Sequence, residues 1–308
     1  MKKFQNYAEY LLIRIVQMLF SGLPLGAALA FGKGIGLFTF SVLRIRRRVA
    51  IENIARSFPE KSPQEVQAIA RRTFMNFGQS IMEFMRLPRT SPRELQERVK
   101  FINAHLLAEG EQAGKGVILL SGHFGNWELM GAAIRALGYP ISAIAREQRN
   151  NLVNDLINRH RHAVGIETIK LGMALRGILK ALRDRRFVAL LADQDAHDEG
   201  VFVNFLGRPS ATATGPAVFA LKTGAALIFG TCVRGEKGHH TIHFQQIDFS
   251  DLNGLTEENI RILTQRHATA LEECIRRWPD HWFWMHKRWK TKPRQPRQNE
   301  NTGNAIVS

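Results

Sequence analysis

Cysteine is all but missing. Cys232 and Cys274 are the only two in 308 residues, and their separation matches no zinc-ligand spacing, so neither a disulfide framework nor a zinc module is expected and a reducing compartment fits. Acidic side chains are scarce as well: 27 Asp and Glu face 43 Lys and Arg, a formal charge of +16, with an isoelectric point of about 10.5. Such an imbalance points to an anionic partner, whether phospholipid headgroups, nucleic acid or an acidic carrier protein. Two catalytic strings are absent. Without H-E-x-x-H there is no zincin helix, and without G-x-S-x-G there is no nucleophile elbow. No internal repeat is evident, which argues against a solenoid.

Charge is also missing locally. From Ile15 to Gly32 no ionisable side chain occurs, although Gln17, Ser21 and Pro24 interrupt the run and Arg14 and Lys33 bound it; this is marginal for a span, which needs about 20 mostly apolar residues. The chain is apolar again from Lys33 to Leu43, and then Arg44, Arg46, Arg47 and Arg48 cluster. Arginines beside an apolar segment suit an anionic membrane face on the cytoplasmic side. Lys2 and Lys3 ahead of the run, with Ala28-Leu29-Ala30 inside it, resemble a cleavable signal. Because the apolar composition continues past that point, residues 1–48 are expected to be a retained membrane-anchoring helical segment, spanning the bilayer or lying in its interface.

Beyond residue 48 the pattern changes. Ser62, Pro63 and Glu65 fit the N-cap, first and third positions of a capping box, so a helix is expected from there to about Met85. From about residue 99 short apolar runs such as "VKFI", "GVILL", "ISAIA", "IETIK" and "FVALLAD" alternate with helical patterns of 10 to 15 residues. Alternation of that kind implies βαβ units: an α/β fold with a mostly parallel central sheet flanked by helices, over residues 49–292. "GPAVFALKTG" reads as a further helix, "ALIFGTCV" and "TIHFQQI" as strands, and Glu257 to Arg277 as a long helix. Residues 293–308, rich in Arg, Pro, Gln and Asn, read as a disordered polar tail.

The stretch "GVILLSGHFGNWELMG" carries the chemistry. His123 and Glu128 lie on opposite faces of a strand and well apart around a helix, so they meet only if a strand ending at Gly122 turns through Gly125 into a helix opening near Asn126. Such turns sit at the carboxyl edge of an α/β sheet, where sites gather. A carboxylate on one ring nitrogen fixes the tautomer, leaving the other to take a proton from a hydroxyl or water. The bland alternative is a structural histidine at a strand end. Asp193-Gln194-Asp195, at the end of another strand, reads either as a loop cap or as the metal and diphosphate pair of a glycosyltransferase. Arg159 and Arg161 near a helix end suit a phosphate, an oxyanion or a solvated face. Trp278, Trp282, Trp284 and Trp289, interleaved with Lys287, Arg288 and Lys290, suit a membrane interface or stacked bases.

Taken in order, three blocks of this chain resemble the bacterial lipid A biosynthesis acyltransferases, the late lauroyl and myristoyl transferases of the H-x-x-x-x-D/E glycerolipid acyltransferase superfamily. His123 through Glu128 match the signature; "ADQDAHDEGVFVNFLGRPSATATGPAVFALKTGA" looks like the second long block and "WFWMHKRWKT" like the closing one. The likeness runs to about Lys292. It implies that His123 is the general base and Glu128 its partner, that Arg161 and Asp193 are further functional residues, and that amides at Gly125 and Asn126 join Arg161 in stabilising the oxyanion. It implies no metal and no cofactor, an acyl carrier protein thioester as co-substrate, with acyl coenzyme A and another glycolipid or phospholipid as the alternative. The acceptor would be an anionic lipid, a bisphosphorylated glucosamine disaccharide in the cell inner membrane, with the catalytic domain on the cytoplasmic face and no nucleic acid partner. Ala145 and Glu147 depart from the family pattern, which often has Tyr and Pro there.

Overall fold

In the computed structural model the described residues are 2–293. All but the first residue of the expected polar tail therefore lies outside them. Four helices open the chain: α1 (Lys2–Ser21), α2 (Leu25–Phe38), α3 (Arg47–Ser57) and α4 (Pro63–Arg86). The capping box is present, with the Ser62 side chain accepting from the Glu65 amide at 3.3 Å and the Ser62 amide donating to the Glu65 carboxylate at 2.8 Å.

The rest alternates as expected. After α5 (Pro92–Arg98) come β1 (Val99–Ile102), α6 (His105–Gln112), β2 (Val117–Ser121), α7 (Trp127–Ala136), β3 (Ile141–Ala145), α8 (Asn151–Ala163), β4 (Glu167–Lys170), α9 (Ala174–Arg183) and β5 (Phe187–Leu191). A hairpin, β6 (Val201–Phe205) and β7 (Arg208–Thr212), precedes α10 (Gly215–Thr223), β8 (Ala226–Arg234), β9 (His240–Gln246) and α11 (Glu257–Arg277). The seven-stranded sheet runs β1-β9-β8-β2-β5-β3-β4. Every neighbouring pair is parallel except β8 with β9, so the fold is α/β with a mostly parallel sheet. β2 is central and buried along its whole length, which is why its sequence is an unbroken apolar run rather than an alternating one.

The hairpin was not anticipated from sequence. Its signal was the two-residue loop Leu206-Gly207, both at positive φ (51° and 73°), the geometry that matches the twist of a tight hairpin.

The N-terminal segment is fastened to the catalytic unit. α2 runs along α4 at backbone contact, since a Cβ on Gly36 would overlap the Phe74 carbonyl and one on Gly78 would overlap the Gly32 carbonyl. Gly32 and Gly36, four apart, give α2 one face small enough for this approach. Among the described residues one helical stretch, Leu25–Leu43, is long and apolar enough to cross a membrane. The outward sides of α1 and α2 leave Phe4, Leu12, Leu19 and Phe38 exposed, as is Val42 just beyond α2.

Candidate active site

β2 ends at Ser121 and the chain turns before α7, so His123 sits at the carboxyl edge of the central strand. Gly125 is required in that turn: its φ is +58°, and a Cβ there would overlap the Cys232 carbonyl. Asn126 caps α7, its side-chain oxygen accepting from the Leu129 amide at 3.1 Å.

The imidazole is held by Asp193 rather than Glu128. Nδ1 of His123 lies 2.7 Å from Oδ1 of Asp193, and the His123 amide donates to Oδ2 at 2.7 Å. The indole of Trp282 donates to the same Oδ2 at 2.8 Å. Burial alone would raise the Asp193 carboxyl, but the facing imidazole and these three donors bring it down to about 2. It is therefore ionised at neutral pH. Burial alone would lower His123; the charge and hydrogen bond of Asp193, and more weakly the charge of Glu128, raise it above its ordinary value. With Nδ1 engaged, Nε2 points toward the exposed amide of Gln194, 3.4 Å away.

Glu128 has a different role. Arg161 grips it bidentately, Nε to Oε2 at 3.0 Å and Nη2 to Oε1 at 2.5 Å. The expected histidine–glutamate hydrogen bond is thus replaced by two pairs, His123 with Asp193 and Glu128 with Arg161. The reason is local: α7 begins only at Trp127, so Glu128 projects from its first turn toward α8, while β5 delivers Asp193 beside the end of β2.

The amide expectation is corrected too. The Gly125 N–H donates to the His281 carbonyl at 2.8 Å, and burial pushes the neighbouring Cys232 thiol up to about 12, which keeps it protonated. The Gly125 amide is therefore not free for an oxyanion. The turn is stapled on both sides, to β8 through Gly125 and to the closing segment through Phe124 and Trp282.

That closing segment was misread from sequence. Trp282, Trp284, Trp289 and Arg288 are buried, not arrayed on a surface. Trp282 braces Asp193; His286 accepts from the Asp195 amide at 3.0 Å; Arg288 donates to the Gln194 carbonyl at 3.1 Å; and Thr291 donates to the Asp195 carboxylate at 2.9 Å. Both oxygens of Asp193 are occupied by these protein donors, which removes it from a metal and diphosphate pair. Among the described residues no group of three His, Cys, Asp or Glu side chains is arranged to hold a metal.

Sequence reasoning also missed the support beneath Asn126. Its amide nitrogen donates to Glu83 at 2.7 Å, and Glu83 is buried against Arg234 at 2.7 Å and Arg98 at 3.0 Å. Burial would raise the Glu83 carboxyl, but the surrounding cations, His240 when protonated and the two arginines, lower it. A polar residue at an apolar position of α4 was the available signal.

An imidazole whose buried carboxylate fixes its tautomer, with its second nitrogen facing the exposed Gln194 amide, has the arrangement a general base needs. Residues 2–291 match the model of the bacterial lipid A biosynthesis acyltransferase family, and the chain belongs to that family. It is accordingly an acyltransferase. Its relatives include a lipid A biosynthesis palmitoleoyltransferase of Escherichia coli, 26% identical over 88% of this chain and 87% of that one. An E. coli lipid A biosynthesis lauroyltransferase is 24% identical over 88% of each. A phosphatidylinositol mannoside acyltransferase of Mycolicibacterium smegmatis is 24% identical over 77% of each.

Proposed function

We propose that the protein is a membrane-associated O-acyltransferase that moves a fatty acyl chain from an acyl carrier protein thioester to a hydroxyl of a lipid A precursor. The observation that carries this is the His123–Asp193 pair, with Nε2 met only by the long contact to the exposed Gln194 amide. Nε2 takes the proton of the acceptor hydroxyl as its oxygen attacks the thioester carbonyl. The tetrahedral oxyanion collapses, the C–S bond breaks, and the departing thiolate recovers the proton from the imidazolium, which Asp193 has stabilised throughout. The oxyanion is met by side chains: Arg161, whose Nη1 has no protein partner among the described residues, and the Gln194 amide. No step calls for a metal or a cofactor.

The charge of +16 supports an acidic carrier as donor. The exposed apolar sides of α1 and α2, beside Arg44, Arg46 and Arg48, support the inner membrane, with the catalytic unit on its cytoplasmic face. The glycine contact of α2 with α4 favours an anchor lying in the interface, since a spanning α2 would carry Asn76, Gln79 and Glu83 of α4 to bilayer depth. The mycobacterial relative supports a second reading, transfer to another glycolipid.

Purified full-length chain given acyl carrier protein or coenzyme A thioesters, with a lipid A precursor or a phosphatidylinositol mannoside, tests this by mass spectrometry of the products. Acylation of the lipid A precursor from the carrier, lost in His123→Ala while the fold is retained, is expected. Near-wild-type transfer by His123→Ala would overturn the role of the base, and activity on the mannoside alone would overturn the acceptor.

A further inference from the structure

Between α1 and the end of α4 lies a cavity of about 220 Å³, against roughly 30 Å³ for one water. Its polar wall is Arg14, Gln17, Ser21 and Arg89, and its apolar wall is Met18, Met85 and Pro88. No acidic side chain lines it. Among the described residues neither Arg14 nor Arg89 has a carboxylate partner, whereas Arg161, Arg234 and Arg98 all do. The neighbouring Arg86 is already spent, donating to the Phe20, Ser21 and Leu23 carbonyls at the end of α1.

Arg14 is oriented rather than loose. Its Nη1 donates to Gln17 Oε1 at 3.1 Å, and Gln17 Nε2 lies 2.9 Å from Nε2 of the buried His160, whose Nδ1 donates to the Leu156 carbonyl at 2.7 Å. Burial first, and then the charges of Arg159 and Arg14, hold His160 below its ordinary pKa, so it is neutral and accepts from Gln17. His160 precedes Arg161 on α8, which places this groove beside the helix that grips Glu128. The other side of α1 exposes Leu12, Ile15 and Leu19.

We propose that this groove binds a phosphate monoester, carried on the headgroup of the anionic lipid acceptor. Arg14 and Arg89 supply planar guanidinium donors matched to phosphate oxygens, Gln17 and Ser21 add neutral polar groups, and the methionines meet the adjoining apolar part of the lipid. The site rests on the acceptor class proposed for the enzyme, but it is tested without acyl transfer.

Full-length protein is partitioned between phosphatidylcholine vesicles containing phosphatidic acid, a monoester, and vesicles brought to the same surface charge with phosphatidylserine, a diester. The wild type is expected to prefer phosphatidic acid by about 10-fold or more, the scale of charge-assisted hydrogen bonds. Arg14→Gln with Arg89→Gln should reduce the preference to within about twofold and leave binding to phosphatidylserine little changed, while Arg14→Lys with Arg89→Lys keeps part of it. His123→Ala should keep the full preference, so failure of the catalytic reading and failure of this site are separable. Calorimetry with inorganic phosphate is the second arm: lipid-free binding abolished by the double glutamine variant supports the phosphate site, and such binding without any preference between the vesicles would overturn the lipid headgroup as its source. Equal partition of the wild type into both vesicles, or a preference that survives the glutamine variants, overturns the proposal.

Discussion

At the residue scale the proposed mechanism rests on Asp193 being charged and His123 being neutral when it takes the proton. Because the base must be unprotonated and Asp193 raises its pKa above the ordinary 6.5, acyl transfer should climb with pH through that raised value and then level off. A pH profile of kcat/KM on the purified enzyme checks this; a profile flat from pH 5 to 9 would be inconsistent with a histidine base. What singled out His123 in sequence was its setting, with Gly122 and Gly125 on either side, a strand end and a carboxylate within reach, since a lone imidazole at a strand end is otherwise an ordinary structural residue. Its hydrogen-bond partner was not legible, since Asp193 follows a different strand, β5, and adjacency in a parallel sheet is a matter of strand order, which no local pattern encodes. The same holds for Trp282, whose indole reaches Asp193 from the last segment of the chain. Proximity in sequence favoured Glu128, and the start of α7 at Trp127 turned it toward Arg161 instead.

At the scale of elements the most consequential contact is α2 against α4. Gly36 accepts no side chain without driving the two backbones apart, so Gly36→Leu should cost about 1–3 kcal/mol, the usual scale for overpacking. Thermal unfolding and flotation with vesicles measure it. The expected result is a lowered Tm with weaker membrane retention; an unchanged Tm would mean the helices are not packed as described. The helices and strands from residue 99 onward were readable from periodicity and glycine punctuation, and α4 from its capping box. Two short helices, α3 and α5, and the β6–β7 hairpin were not, because arginine-rich and mixed segments carry little periodic signal. The aromatic closing segment was misplaced for a related reason: tryptophans beside cations look alike whether they face lipid or, as Trp282 and Trp284 do, sit in the core with their indoles donating to the Asp193 carboxylate and the Pro279 carbonyl.

At the scale of the molecule, burial of neutral histidines makes the fold sensitive to acid. Burial pushes His240 down to about 4 and His267 down to about 3. Their folded values lie below the unfolded one of about 6.5, so the stability they contribute is present above pH 6.5 and is lost as pH falls toward those values. Asp193, at about 2, extends the loss below pH 4. Denaturant unfolding between pH 7 and 4 should therefore show proton uptake, with each proton worth about 1.4 kcal/mol per pH unit. His267→Phe, which fills the same space without the imidazole, should flatten that slope; an unaltered slope would remove His267 from the account.

The central claim is that Asp193, not Glu128, orients the imidazole that activates the acceptor. The kcat of Asp193→Asn, measured at saturating donor and acceptor, tests it most directly. The amide keeps the shape and the Trp282 contact in reach but removes the charge, and kcat should fall by about 10³-fold or more with KM within about twofold. A variant that retains wild-type kcat to within about threefold would contradict the account.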